Sequence, residues 1–160
     1  MLFALTLGSA LGCGLMAGAF FAFSSFVMKA LARLPPARGI AAMQSINVAV
    51  INPVFLGVFV GTAAPCALLA IFSVIRWQNP GAVYVLVGGL LYLIGTFLVT
   101  MVFNVPRNDA LAAVDPASAE GARVWARYLS RWTAWNHVRT VAALAAASAL
   151  TLALTQRGTQ

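Results

Sequence analysis

Four apolar runs, separated by prolines and by clusters of polar or charged residues, set the layout of this chain. Residues 1–28 carry no charge, enough to cross a bilayer as a helix. No basic residue precedes this run, whereas Lys29, Arg33 and Arg38 follow it as a stop-transfer flank would, so a cleavable signal peptide is not expected. Pro35-Pro36 then breaks the helix into a basic loop. A second run, 41–75, is too long for one untilted span and is interrupted at Asn52-Pro53 and at Pro65. Its first part, 41–52, reads as a membrane-entry segment, and 53–75 as the span. The polar turn Arg76 to Gly81, with Trp77 at the interface, makes the next apolar run, 82–103, an antiparallel neighbour. That run is expected to stop at Asn104-Val105-Pro106-Arg107-Asn108-Asp109.

Asp115-Pro116 looks like a helix start, with aspartate as N-cap, proline in the first turn and Glu120 early in the helix. A helix over 116–155 would be about 60 Å long, roughly twice the hydrocarbon thickness. Its first half should therefore lie outside the membrane or along its surface, with 132–155 as the fourth span. The expected architecture is all-α: one integral membrane domain over 1–160, a four-helix bundle with spans of about 2–28, 53–75, 82–103 and 132–155.

Composition agrees with this layout. Of 160 residues, 62% are hydrophobic and 8% charged, far from the quarter or so of charged residues in soluble domains. The net charge of +7 could suggest nucleic acid, but the basic residues are dispersed along membrane flanks, and no nucleic acid partner is expected. Loop one carries Lys29, Arg33 and Arg38, and loop three Arg107, Arg123, Arg127 and Arg131; the other side has Arg76 and Arg157. Seven against two predicts both loops in the cytoplasm and both termini outside a cell membrane crossed several times.

Small residues recur in the first run, at Gly8 and Gly12 and at Gly14 and Gly18. These GxxxG spacings suit close packing inside the bundle, with a homo-oligomer seam as the alternative. Cys13 and Cys66 sit in apolar runs with no CxxC spacing and read as structural thiols. A single histidine excludes a haem held between two histidines of one subunit. No nucleotide-binding loop, HExxH or Gly-x-Ser-x-Gly occurs, and no metal site or cofactor is expected.

Candidate chemistry concentrates in WARYLSRWTAWNHVRT, residues 125–140. Helical periodicity places Trp125, Tyr128, Trp132, Trp135, Asn136 and Arg139 within an arc of roughly 100°, with Arg123, Arg127 and His137 turned away. Lipid contact alone does not account for that face. Arg139, about two turns into an apolar run, costs several kcal/mol unless it finds partners. Asp109 is its preferred partner, with Asn104, Asn108 and Asn47 also within reach by topology. The pair either locks the bundle end or leaves the guanidinium to bind an anionic or enolic oxygen; a lipid headgroup is a third reading. Asn47 and Asn52 either line a ligand site or satisfy neighbouring backbone. The tryptophans and Tyr128 suit an interfacial belt or the wall of a flat aromatic site. His137 is the obvious base by chemistry, though its position on the wheel argues for an interfacial structural role.

NVPRND at 104–109 and RYLSRWTAWNHVRT at 127–140, together with FFAFSSFVM at 20–28 and Asn52-Pro53, resemble the anthrone oxygenase-like family of small four-helix membrane proteins. The resemblance implies oxidation of an anthrone methylene to a quinone carbonyl by dioxygen without a metal or flavin. It matches Asn104, Pro106, Asn108, Asp109, Trp132, Trp135, Asn136, His137, Arg139 and Thr140. The rival reading is a non-catalytic membrane protein that binds a lipid or hydrophobic metabolite or packs against a membrane partner. On the first reading the expected ligand is a hydrophobic, flat aromatic molecule, with Arg139, Asn136, His137 and Asp109 as the candidate reactive groups and Trp125, Tyr128, Trp132, Trp135, Asn47, Asn52, Asn104 and Asn108 as candidate contacts.

Overall fold

The computed structural model describes residues 2–156; Arg157, counted in the charge balance, lies outside the described residues. The described chain is helical apart from its turns, and its helices form five continuous stretches: α1 (Leu2–Ala32), α2 (Pro36–Ala49), α3 (Pro53–Ile75), α4 (Ala82–Ala112) and α5 (Ala119–Thr155). All but α2 are long and apolar enough to cross a membrane. They form a ring in which α1 packs on α5 and α3, and α4 packs on α3 and α5. Outside the ring, Leu11, Leu15, Leu68, Ile71, Val141 and Leu144 are all exposed. An apolar belt of that extent suits lipid and not water.

Small residues allow the ring to close. A Cβ on Gly89 would lie 2.8 Å from the Cys66 carbonyl of α3, and one on Gly95 2.5 Å from the Cβ of Ala142 on α5. The GxxxG residues divide: Gly12 faces Thr62, while Gly8, Gly14 and Gly18 meet nothing within 4 Å. Cys13 and Cys66 are buried free thiols in the same core cluster as Tyr92. The Tyr92 phenol, fully enclosed, donates to the Phe59 carbonyl at 3.0 Å, as a buried hydroxyl must find a partner.

Three boundaries differ from expectation. First, the segment after Pro35 is a helix and not a basic loop. Pro36 sits in its opening turn, where a missing N–H costs nothing. Thus α2 is a fifth helix beside the four expected, and it lies across one end of the ring against α5, the end of α4 and the end of α1. Secondly, α4 does not stop at Asn104 but runs on to Ala112. The stretches Leu91–Leu98 and Thr100–Asn104 are π-helical, and Val105 donates to the Thr100 carbonyl, five residues back. Regular α-geometry restarts at Val105, so Pro106 again falls in an opening turn. Thirdly, α5 is capped by Ser118, whose hydroxyl accepts from Gly121 N–H at 2.8 Å. Asp115 closes the preceding turn instead, accepting from Ala117 N–H at 2.9 Å. The 37 residues of α5 form one uninterrupted helix, about 55 Å long. Its first half carries the aromatic residues packed under α2 and the end of α4.

Candidate functional site

Helical spacing on α5 turns one stripe inward. Trp125, Tyr128, Trp132, Asn136 and Arg139 are all buried, whereas His137 is exposed on the far side. The rings of Trp125 and Tyr128 stack with centroids 5.6 Å apart, and those of Tyr128 and Trp132 at 5.7 Å. Phe23 tilts against Trp132 at 5.7 Å. Trp125 fits beneath α2 because residue 39 is glycine; a Cβ there would stand 2.9 Å from the indole. At the foot of this column is Arg139, 4% exposed.

The guanidinium is held by neutral groups only. Nη2 donates to Asn136 Oδ1 at 2.6 Å and Nη1 to Thr100 Oγ1 at 3.3 Å. Its carbon lies 4.3 Å from the centre of the Phe20 ring and 5.0 Å from that of Trp132, within cation–π range. The expected ion pair with Asp109 is not formed. Among the described residues the ion pairs join Glu120 to Arg123 and Arg127, on the exposed start of α5. The continued winding of α4 explains this: Asp109 follows Thr100 by nine residues of helix, which carries it about 13 Å further along the axis, and its side chain is exposed. A buried charge without a counter-ion is expensive, and it is the most unusual feature of the molecule.

Asn136 is the hub that positions it. Fully buried, its Nδ2 donates to the Phe20 carbonyl at 2.8 Å and to Ser24 Oγ at 2.7 Å, leaving Oδ1 for Arg139. Ser24 and Thr140 hydroxyls lie 3.0 Å apart, and Thr140 also donates to the Asn136 carbonyl. The wide π turn Phe23–Val27 of α1 lies at this level, as does that of Thr100–Asn104 on α4. Such turns often mark functional positions in helices.

Beside Arg139 is a cavity of about 590 Å³, enclosed by α1, α2, α3 and α4 as well as α5. Phe20, Phe23, Phe55, Phe59 and Trp132 give it aromatic walls; Arg139, Thr100, Asn47, Asn108 and Asp109 give it polar ones. This volume falls in the ordinary range for small-molecule sites. Three buried donors on wall residues have no partner within the protein: Arg139 Nε, Trp132 Nε1 and Asn47 Nδ2. Buried donors are normally satisfied, and these three belong to residues that border one space.

Of the residues singled out from sequence, Arg139, Trp132, Asp109, Asn108 and Asn47 meet at this cavity. Tyr128 joins them indirectly, donating to Asn108 Oδ1 at 2.8 Å, and Trp125 extends the stack behind it. Asn136 and Asn104 lie behind the wall. Asn104 donates to the Trp132 carbonyl at 3.2 Å, and its Oδ1 is unpartnered. Three others lie elsewhere. Asn52 caps α3, accepting from Val54 and Phe55 N–H and donating to the Ala49 carbonyl. Trp135 leaves the stripe to stack face to face on Phe103 at 3.7 Å. His137 faces outward, off the cavity wall. Sequence reasoning missed Thr100, Ser24 and Gln44. Thr100 could have been suspected from Thr96, one turn before it on the same face; Ser24 and Gln44 gave no comparable signal.

Neither a curated protein nor a solved structure matches the chain. A family model described as anthrone oxygenase matches residues 53–149, more than half of the sequence. The matched region covers α3, α4 and α5 down to Ala149, and with them the NVPRND segment, Trp132, Asn136 and Arg139. With four helices suited to crossing a bilayer, this chain is a multi-pass membrane protein belonging to the anthrone oxygenase family.

Proposed function

We propose that the protein binds a flat, hydrophobic aromatic molecule with one ionisable oxygen, an anthrone or a related phenol or quinol, and oxidises it with dioxygen. The observation that carries this reading is Arg139: a buried cation with neutral partners only, on the wall of a cavity of about 590 Å³. A guanidinium held by neutral partners in low dielectric favours an oxyanion placed beside it over the neutral parent. For an anthrone, loss of a proton gives the enolate, whose oxygen faces the guanidinium. The carbanionic carbon gives up electrons to dioxygen and forms a C–O bond; the peroxide takes up a proton. Cleavage of the O–O bond with loss of the remaining hydrogen on that carbon yields the carbonyl and one water. The methylene is oxidised by four electrons and dioxygen fully reduced, so no other reductant is required.

Asp109, on the cavity wall and exposed, is the group we assign to receive the first proton, through water. His137 lies outside that wall. Asn136 is a positioning residue, holding Arg139 against α1. The balance of basic residues supports a cytoplasmic position for the α2 end of the bundle.

Oxygen consumption by purified protein, measured with an anthrone or a hydroquinone, tests the proposal. Uptake matched by quinone formation, and lost in Arg139→Ala, is expected. Binding without uptake, together with wild-type behaviour of Arg139→Ala in the host, would instead favour a non-catalytic binder of a lipid or hydrophobic metabolite.

A further inference from the structure

The rim of the cavity has two unlike edges. On one, Gln44 of α2 donates to the carbonyls of Leu111 and Val114 at 2.8 and 3.1 Å, fastening α2 to the end of α4 beside Asn108 and Asp109. On the other, the wall is made by Val48, Ile51, Leu56 and Met101. These four are also exposed on the outside, from 39% at Leu56 to 75% at Val48. No side-chain hydrogen bond joins them, and Met101 belongs to the apolar run of α4. Asn52 ties the corner between α2 and α3, donating to the Ala49 carbonyl and accepting from Val54 and Phe55 N–H. The residues of this edge thus both border the cavity and lie on the apolar surface that suits lipid.

We infer that the cavity is loaded sideways from the bilayer, through the gap between the Val48–Leu56 corner and Met101, and accepts an aromatic enol or phenol that carries a hydrocarbon chain. This rests on the reading of Arg139 as the anchor for an oxyanion. The ionisable oxygen lies at the guanidinium, the rings fill the space between Phe20, Phe55 and Phe59, and the chain leaves between the lips into the acyl region. Protons exchange at the polar edge, where Asp109 is exposed. A ligand confined to lipid suits such a site because it never has to cross water.

The test uses the full chain reconstituted in phosphatidylcholine vesicles, with quenching of tryptophan fluorescence by two probes: a hydroxyanthraquinone, and the same molecule bearing a long alkyl chain that confines it to the vesicle. Both are expected to bind, and Arg139→Gln is expected to weaken both by about tenfold or more, as loss of a charge-assisted contact implies. Met101→Phe, or independently Ile51→Phe, should slow association of the chained probe severalfold. If the plain probe binds in an Arg139-dependent way and the chained one does not, the sideways entry is overturned and the oxyanion site stands. If association of the chained probe is indifferent to both lip variants, the entry route is overturned as well. If neither probe binds, both readings fall.

Discussion

Arg139 is held by Asn136, a neutral amide three residues before it, at 2.6 Å. Had this position been an aspartate, the pair would carry no net charge and the cavity would have no electrostatic preference. The choice of amide keeps a full positive charge available at the cavity wall and explains why an anion is the expected guest. It also divides labour within one side chain, since the amide nitrogen secures α5 to α1 while its oxygen orients the guanidinium.

Asn136→Asp therefore provides a sharp test. The new carboxylate should neutralise Arg139 in place, so affinity for a hydroxyanthraquinone anion should fall about tenfold or more although the arginine is still present. Titration of fluorescence quenching measures this; unchanged affinity would show that the charge is not what the ligand reads.

Asn136→Leu and His137→Gln, adjacent in sequence, should rank oppositely in severity. The first strands the Phe20 carbonyl and Arg139, and should cost on the order of 2–4 kcal/mol in addition to ligand binding. The second alters an exposed side chain off the cavity wall and should leave both stability and turnover near wild type. Thermal unfolding in micelles and oxygen uptake on the two variants decide the order, and a reversal would make His137 the base after all.

Gly39→Val should push a side chain into the Trp125 ring and the Leu31 carbonyl, which a Cβ alone would meet at 2.9 and 3.1 Å. We expect a loss of about 1–3 kcal/mol, seen as a lower unfolding temperature, with a change in the near-UV signal of the stacked indoles. Gly14→Val, where nothing lies within 4 Å, is the control and should be close to neutral in an unassembled chain. A change of oligomeric state in Gly14→Val would reveal a seam between copies on that face.

A reporter fused after Gln160 should read out as non-cytoplasmic, as the distribution of lysine and arginine predicts. A cytoplasmic signal would invert the whole orientation, including the side on which Asp109 exchanges protons.

The apolar runs and the inward stripe of α5 were both legible before the structure, because each depends on local periodicity alone. Burial of Trp125, Tyr128, Trp132, Asn136 and Arg139, with His137 outside, is what a regular helix requires of those spacings. Trp135 departed from the stripe because Phe103, on another helix, offers it a stacking surface. The pairing of Arg139 with Asp109 failed for a related reason: it assumed that proline ends α4, whereas a π turn just before Pro106 lets the helix continue. Pro36 and Asn52-Pro53 both fit helix starts, with proline in the first turn, and together they define α2 and its corner.

The widened turns of α4 have a mechanical consequence. Each holds a surplus residue relative to the α-ladder, and displacing that surplus by one position swivels the intervening side chain by about 100° while the remainder of the rod stays wound. Thr100, the partner of Arg139 on this helix, begins one such turn, with Val99 alone between it and the other. The hydroxyl that meets the guanidinium therefore stands on backbone wound more loosely than an α-helix.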